Sequence, residues 1–168
     1  MTRNILSTLM IVALCTSCSK PTTESVTAVS APVADTSASD AAAHHAHEAY
    51  VTAINSNNLD SLLGMLTDDV VFMAPNEKPY VGKAALRPWL EGYFTAYKTH
   101  WDKPVQEFIV NDEWAFERYS YTSTDTPLAG GEAIVGTGWG LVIYHRDADG
   151  KWRVARDAWG ADQPVAKN

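Results

Sequence analysis

The chain has 168 residues, a formal charge of −7 and only two cysteines. An acidic chain without a basic patch excludes a nucleic-acid binder and electrostatic docking on anionic lipid. Its length suits one domain behind a leader. With no cysteine beyond Cys18, that domain must hold its core without disulfides.

The leader comes first in chain order. Arg3 precedes an apolar run from Ile5 to Leu14, and the run closes on Leu14-Cys15-Thr16-Ser17-Cys18. A basic start, a short apolar region and a small residue before a cysteine form the pattern of a bacterial lipoprotein signal. The apolar run is too short to span a bilayer. Residues 1–17 are therefore expected to be removed and Cys18 to carry the acyl chains. That makes the membrane a partner through lipid alone. The expected address is extracytoplasmic, on the periplasmic side. Ser19 is compatible with an outer membrane where the host has one. A plain secretory signal is the alternative. Residues 18–39, rich in Ser, Thr, Ala and Pro, have too little apolar bulk to offset ordering entropy and read as a tether.

The folded domain is expected over residues 40–162, with 163–168 as a tail. Ser39 and Asp40 are good N-caps for a helix from Ala41 to about Ser56, with Ala46, Ala49, Tyr50, Ala53 and Ile54 on one face. Asn57 and Asn58 break it. Leu59, Leu62, Leu63 and Leu66 then follow the spacing of a short buried helix. Val70 to Ala74 predicts a strand that Pro75-Asn76 stops. Gly82 opens a third helix, with Leu86, Trp89, Leu90, Tyr93, Phe94 and Tyr97 on its buried side. Pro88 should bend it or shorten its first half. From Val105 onward the pattern changes to strands at Val105–Val110, Trp114–Thr124, Ala133–Arg146 and Trp152–Gly160, with turn signals at Asn111-Asp112 and Asp147 to Gly150. Helices first and strands last predict an α+β fold, with helices on one face of a curved sheet.

The stretch from about His44 to Gly160 resembles the SnoaL-like members of the nuclear transport factor 2-like superfamily. Tyr50, "NNLDSLLGMLTDDVVF", "PYVGKAALRPWL", "AFERYSYT" and "DGKWRVARDAW" carry the match by their order and spacing. The resemblance implies a cone-shaped, curved antiparallel sheet closed by about three N-terminal helices around a pocket, often in a homodimer. Ketosteroid isomerases of this superfamily use a base and two groups that hold an oxyanion. Tyr50 matches one of those groups, but the base falls on Ala74 and the second acid on Val142, which argues against that activity.

The match also sets strand phase, because neighbours in a strand alternate faces. It directs Val70, Phe72 and Ala74 inward. Phe116, Arg118 and Ser120 should face in on the next long strand, followed by Gly138, Gly140, Val142 and Tyr144, and then by Ala155, Asp157 and Trp159. The expected site is thus aromatic, with Phe72, Trp89, Phe116, Tyr144 and Trp159 as walls and Tyr50, Arg118 and Asp157 as polar groups. Asp157 could be a general base, a ligand contact or the ion-pair partner of Arg118. Arg118 could hold a ligand carboxylate instead. Tyr50 could donate to a ligand or be satisfied core. On the other sheet face Trp139, Leu141 and Ile143, with Trp152 and Val154, should form an apolar patch suited to a second copy of the chain.

No cofactor or metal is expected. His44 and His47 share a helix face, but no carboxylate or cysteine joins them at a ligand spacing, so the segment reads as a solvated face. Gly130-Gly131 lacks the strand and helix context of a phosphate loop. The leading expectation is a lipid-anchored domain that binds a small, largely apolar molecule. The alternatives are a cofactor-free lyase, isomerase or hydrolase using Asp157 and Tyr50, and a dimeric interaction module with a filled pocket.

Overall fold

The computed structural model describes residues 36–162, so Cys18 and the expected leader, most of the tether and the tail lie outside the described residues. Three helices precede or interrupt the sheet: α1 (Thr36–Asn55), α2 (Leu59–Gly64) and α3 (Lys83–Ala96). Ala43, Ala46, Tyr50, Ala53 and Ile54 of α1 are buried. Three alanines among the five let the helix lie close to the sheet while Tyr50 reaches into it. Asn58 caps α2, its side chain accepting from the Ser61 N–H at 2.9 Å. Pro88 lies inside α3 without ending it.

The seven strands are β1 (Leu66–Met73), β2 (Tyr80–Val81), β3 (Tyr97–Asp102), β4 (Val105–Asn111), β5 (Trp114–Pro127), β6 (Ile134–Arg146) and β7 (Trp152–Ala161). Their order is β2-β1-β7-β6-β5-β3, and β4 also pairs with β5. All pairs are antiparallel except β1 with β7. One edge of the long β5 is shared. β4 takes its first half and β3 its second, and Lys103-Pro104 stands at the break between them. Pro104 has no N–H to donate there, which suits an interruption in the ladder.

The α+β architecture is as expected, but details differ: α1 begins at Thr36, inside the expected tether, and β1 begins at Leu66, ahead of the expected Val70. The third helix stops at Ala96, and Tyr97 opens β3 instead of closing the helix. Leu66 belongs to β1, not to the second helix, and is fully buried there. Trp152 and Val154 are buried, not on the outer face. A register shift between Ile143 and Tyr144 opposite β7 explains this, since one extra residue in a strand flips the faces that follow.

The free edge of β3 is covered by side chains. Asn55 accepts from the Trp101 N–H at 2.7 Å and donates to its carbonyl at 2.9 Å. Asn57 does the same with Thr99, at 2.7 and 2.9 Å. The two amides act as a short surrogate strand. Asn57 adopts a φ of +53°, a left-handed conformation that asparagine tolerates better than most residues. The residues that end α1 therefore also tie it to the sheet beside the pocket.

Candidate functional site: a buried carboxylate in an aromatic cone

The walls of the pocket away from its polar end are aromatic side chains from four elements. Trp89, Tyr93 and Phe94 come from α3, Trp101 from β3, Phe72 from β1 and Trp159 from β7. Trp159 is the hub. Its ring meets Phe72 edge-on at 5.8 Å, Trp101 edge-on at 6.4 Å and Trp89 at 6.4 Å. These rings fill most of the cone, and the cavity left is about 50 Å³. Ligand pockets commonly have roughly 300–1,000 Å³ and a cavity that takes benzene about 150 Å³, so the space as it stands suits a few waters, and a ring enters only if these side chains move.

At the polar end lies Asp157, 3% exposed. Tyr50 donates to its Oδ2 at 2.7 Å and Tyr119 donates to its Oδ1 at 3.0 Å. Lys103 Nζ is 3.7 Å from Oδ2, and its side chain is also buried. The ammonium sits over the Tyr119 ring at 3.8 Å and the Tyr50 ring at 4.7 Å from their centroids. Cation–π attraction and the carboxylate together offset its lost hydration. Burial pushes the Asp157 carboxyl up from its ordinary range. Lys103 and the two phenols pull it back, and Glu117 adds to the rise.

Glu117 defines a second buried polar group. It is fully buried, accepts from Tyr144 at 2.6 Å and lies 2.9 Å from His47 Nδ1. Glu117, Val142 and Asp157 stand in register across β5, β6 and β7. At ordinary strand spacing the two acids are about 10 Å apart. Two acids thus flank Val142, where the isomerase comparison expects one.

Burial and these carboxylates raise the phenols of Tyr50, Tyr119 and Tyr144 well above the ordinary tyrosine value. All three stay protonated donors in the fold. A phenol whose proton is held more tightly when folded stabilises the fold fully below the free value near 10 and less as pH rises beyond it. In an alkaline ultraviolet titration these three are expected to ionise only together with unfolding. Ionisation of all tyrosines while the fold's circular dichroism persists would contradict their placement.

Of the residues expected in the site, Tyr50, Phe72, Trp89, Asp157 and Trp159 line the pocket. Tyr144 is buried but serves Glu117. Phe116 and Arg118 do not face in. Their strand has the opposite phase, with Ala115, Glu117, Tyr119 and Tyr121 inside. Arg118 pairs with Glu107 at 3.3 Å on the outer face, and Lys103 takes the place expected of it beside Asp157. Glu117 can turn inward because His47 and Tyr144 both bond its Oε2, although its Oε1 is buried without a partner among the described residues. His47 is accordingly no solvated face residue, its side chain being 14% exposed. Lys103 and Tyr119 are site residues that the sequence did not single out. Tyr119 was discoverable from the alternation Tyr119, Tyr121 opposite Gly140, Gly138. Lys103 had only its place before a proline. Among the described residues no group of three His, Cys, Asp or Glu comes close enough to hold a metal.

A curled sheet closed by N-terminal helices over an internal pocket defines the nuclear transport factor 2-like fold. Residues 47–155 match the SnoaL-like domain, and the chain belongs to that family. A ketosteroid isomerase-like protein from Erwinia carotovora atroseptica SCRI1043 is 27% identical, with a TM-score of 0.68 over 74% of this chain and 97% of that one. A nuclear transport factor 2-like superfamily protein from Salmonella enterica serovar Typhimurium LT2 shares the fold at 13% identity and a TM-score of 0.67, covering 79% and 99%. So does a candidate scytalone dehydratase from Novosphingobium aromaticivorans DSM 12444, at 17% identity and 0.65, covering 76% and 93%. No curated protein sequence matches the chain.

Proposed function

We propose that this SnoaL-like domain holds a small, largely apolar molecule in its cone, at a membrane outside the cytoplasm to which Cys18 tethers it. The observation that carries the reading is a residual aromatic cavity with one buried, charged end formed by Asp157 and Lys103. Apolar walls with few convergent polar groups are the usual composition of a small-molecule site. The signal pattern ending at Cys18 supports the address.

We further propose a homodimer through the outer sheet face. Trp139, Leu141 and Ile143 of β6 are exposed, and Phe116, directly opposite Ile143 on β5, extends the same face. A contiguous apolar face of that kind is rarely left open to water on a monomer.

A second reading is a cofactor-free lyase, isomerase or hydrolase in which Asp157 moves a proton. Its support is the raised carboxyl facing the pocket and the likeness to an isomerase-like protein. The geometry favours binding, because each Asp157 oxygen already accepts a phenolic proton and Tyr50 has none free for a substrate oxygen.

Native mass spectrometry of the full chain purified from its host tests these readings together. The expected result is a dimer of chains that begin at an acylated Cys18, each with a retained small molecule. A clean monomer with nothing bound would remove the binding and dimer proposals, and an unprocessed or unacylated start would remove the anchor.

A further inference from the structure

A groove of about 720 Å³ lies at one end of the outer sheet face, away from the cone. Its volume falls within the roughly 300–1,000 Å³ of ligand pockets. Thr67 of β1 and Ala155 of β7 form its floor, and Trp114 of β5 and the turn from Asp147 to Asp149 form its rims. Trp114 is 48% exposed, yet its ring leans on His145 at 4.4 Å between centroids, so an open aromatic surface is held in place there. Thr67 is 5% exposed, and its hydroxyl oxygen is buried with no bonding partner among the described residues. Asp69 feels that hydroxyl, which with Arg156 holds its carboxyl below the ordinary range, but the two are not in bonding geometry.

The charged groups around the groove answer one another. Arg153 donates to Asp147 at 2.7 Å and to the two oxygens of Asp149 at 2.9 and 2.8 Å. Lys83 pairs with Asp68 at 3.0 Å and Arg156 with Asp69 at 3.4 Å. Each carboxylate on the groove thus has a basic partner, and neither an anion nor a cation finds a strong unmet charge. Hydrogen-bonding capacity remains, because a carboxylate accepts about four bonds and an ammonium donates about three. A ligand group that both donates and accepts fits this mixture, and the hydroxyl is such a group. The exposed indole sets a second requirement. Its negative face attracts weakly positive C–H groups. A hydroxyl-rich ring with an apolar C–H face meets both, and that describes a sugar.

We propose that this groove binds a neutral saccharide, with Trp114 against the C–H face of one sugar ring and Asp147, Asp149 and Arg153 on its hydroxyls. The Thr67 hydroxyl meets another hydroxyl at the floor. The site is separate from the cone and goes beyond the binding reading above.

Isothermal titration of the purified full chain with maltose, cellobiose and N,N′-diacetylchitobiose tests this, with galacturonate and spermidine as charged probes. At least one of the neutral disaccharides is expected to bind saturably. Trp114→Ala should weaken that binding about three- to tenfold, the scale of a lost aromatic contact, and Trp114→Phe should keep most of it. Trp114 stands at an exposed strand end, so alanine there should leave the circular dichroism of the fold unchanged. Thr67→Val should also weaken binding, and because it removes an unpartnered buried hydroxyl it should cost no stability in urea denaturation. No saturable binding of any neutral disaccharide would overturn the proposal, and so would binding that survives either substitution at full strength. Tighter binding of galacturonate or spermidine than of any disaccharide would overturn the neutral-saccharide assignment. None of these outcomes bears on what the cone holds, so this inference and the binding reading fail separately.

Discussion

Lys103→Met is expected to destabilise the domain by about 3–5 kcal/mol at neutral pH, the usual consequence of removing one partner of a buried ion pair. Both side chains are almost fully buried, at 1% and 5% exposure, so solvent does little to screen the loss. The stranded group is a carboxylate among aromatic rings, and the two phenols do not neutralise it. The variant should also acquire a pH dependence of definite sign. Burial already raises the Asp157 carboxyl, and losing the ammonium raises it further. A carboxyl that holds its proton more tightly in the fold stabilises the fold at low pH, and that contribution is lost as pH rises through the folded-state value. Lys103→Met should therefore be nearer wild type at acidic pH than at alkaline pH in urea denaturation. Adding Asp157→Asn should recover most of the loss and flatten the pH dependence. A single variant as stable as wild type at alkaline pH would mean that the pair does not hold the site together.

What could be read from the sequence followed from how distinct the two faces of each element are. On β6 glycines alternate with Trp139, Leu141 and Ile143, so both the inward and the outward set were legible. On β5 both faces carry aromatic residues, Trp114 and Phe116 on one and Tyr119 and Tyr121 on the other. Apolar alternation then cannot choose, and a buried Glu117 is the opposite of what polarity suggests. The choice is made by His47 from α1 and Tyr144 from β6, both remote in sequence. The start of β3 was hidden for a related reason. Tyr93, Phe94 and Tyr97 continue a helical spacing, and only pairing with β5 and the amides of Asn55 and Asn57 turns the chain to strand at Tyr97. The acid in the site, Asp157, was legible because it sits inside an apolar strand. Its partner was not, because a lysine in a short link between strands is ordinarily solvated and nothing local marks one that is buried.

Gly140→Ala is expected to destabilise the domain by about 3 kcal/mol or more, at or beyond the usual range for overpacking a core. The Tyr119 phenol crosses the sheet over this glycine on its way from β5 to Asp157 on β7. A Cβ at position 140 would stand 2.5 Å from the Tyr119 ring carbon that bears the hydroxyl and 2.6 Å from the Ala158 carbonyl oxygen. A ring can swing aside, but doing so breaks its bond to Asp157. The carbonyl belongs to the ladder between β6 and β7 and cannot move without opening it. Trimming the ring therefore should not rescue the variant: Tyr119→Leu combined with Gly140→Ala keeps the backbone clash and should remain far below Tyr119→Leu alone. Gly92→Ala gives the contrasting sign. That glycine is exposed within α3, a Cβ there meets nothing within 4 Å, and alanine should stabilise the helix by about 0.5–1 kcal/mol. Urea denaturation of the four variants reads both effects. Gly140→Ala within about 1 kcal/mol of wild type, a loss that ordinary core relaxation could absorb, would mean that the phenol does not lie against β6 and that Tyr119 does not hold Asp157.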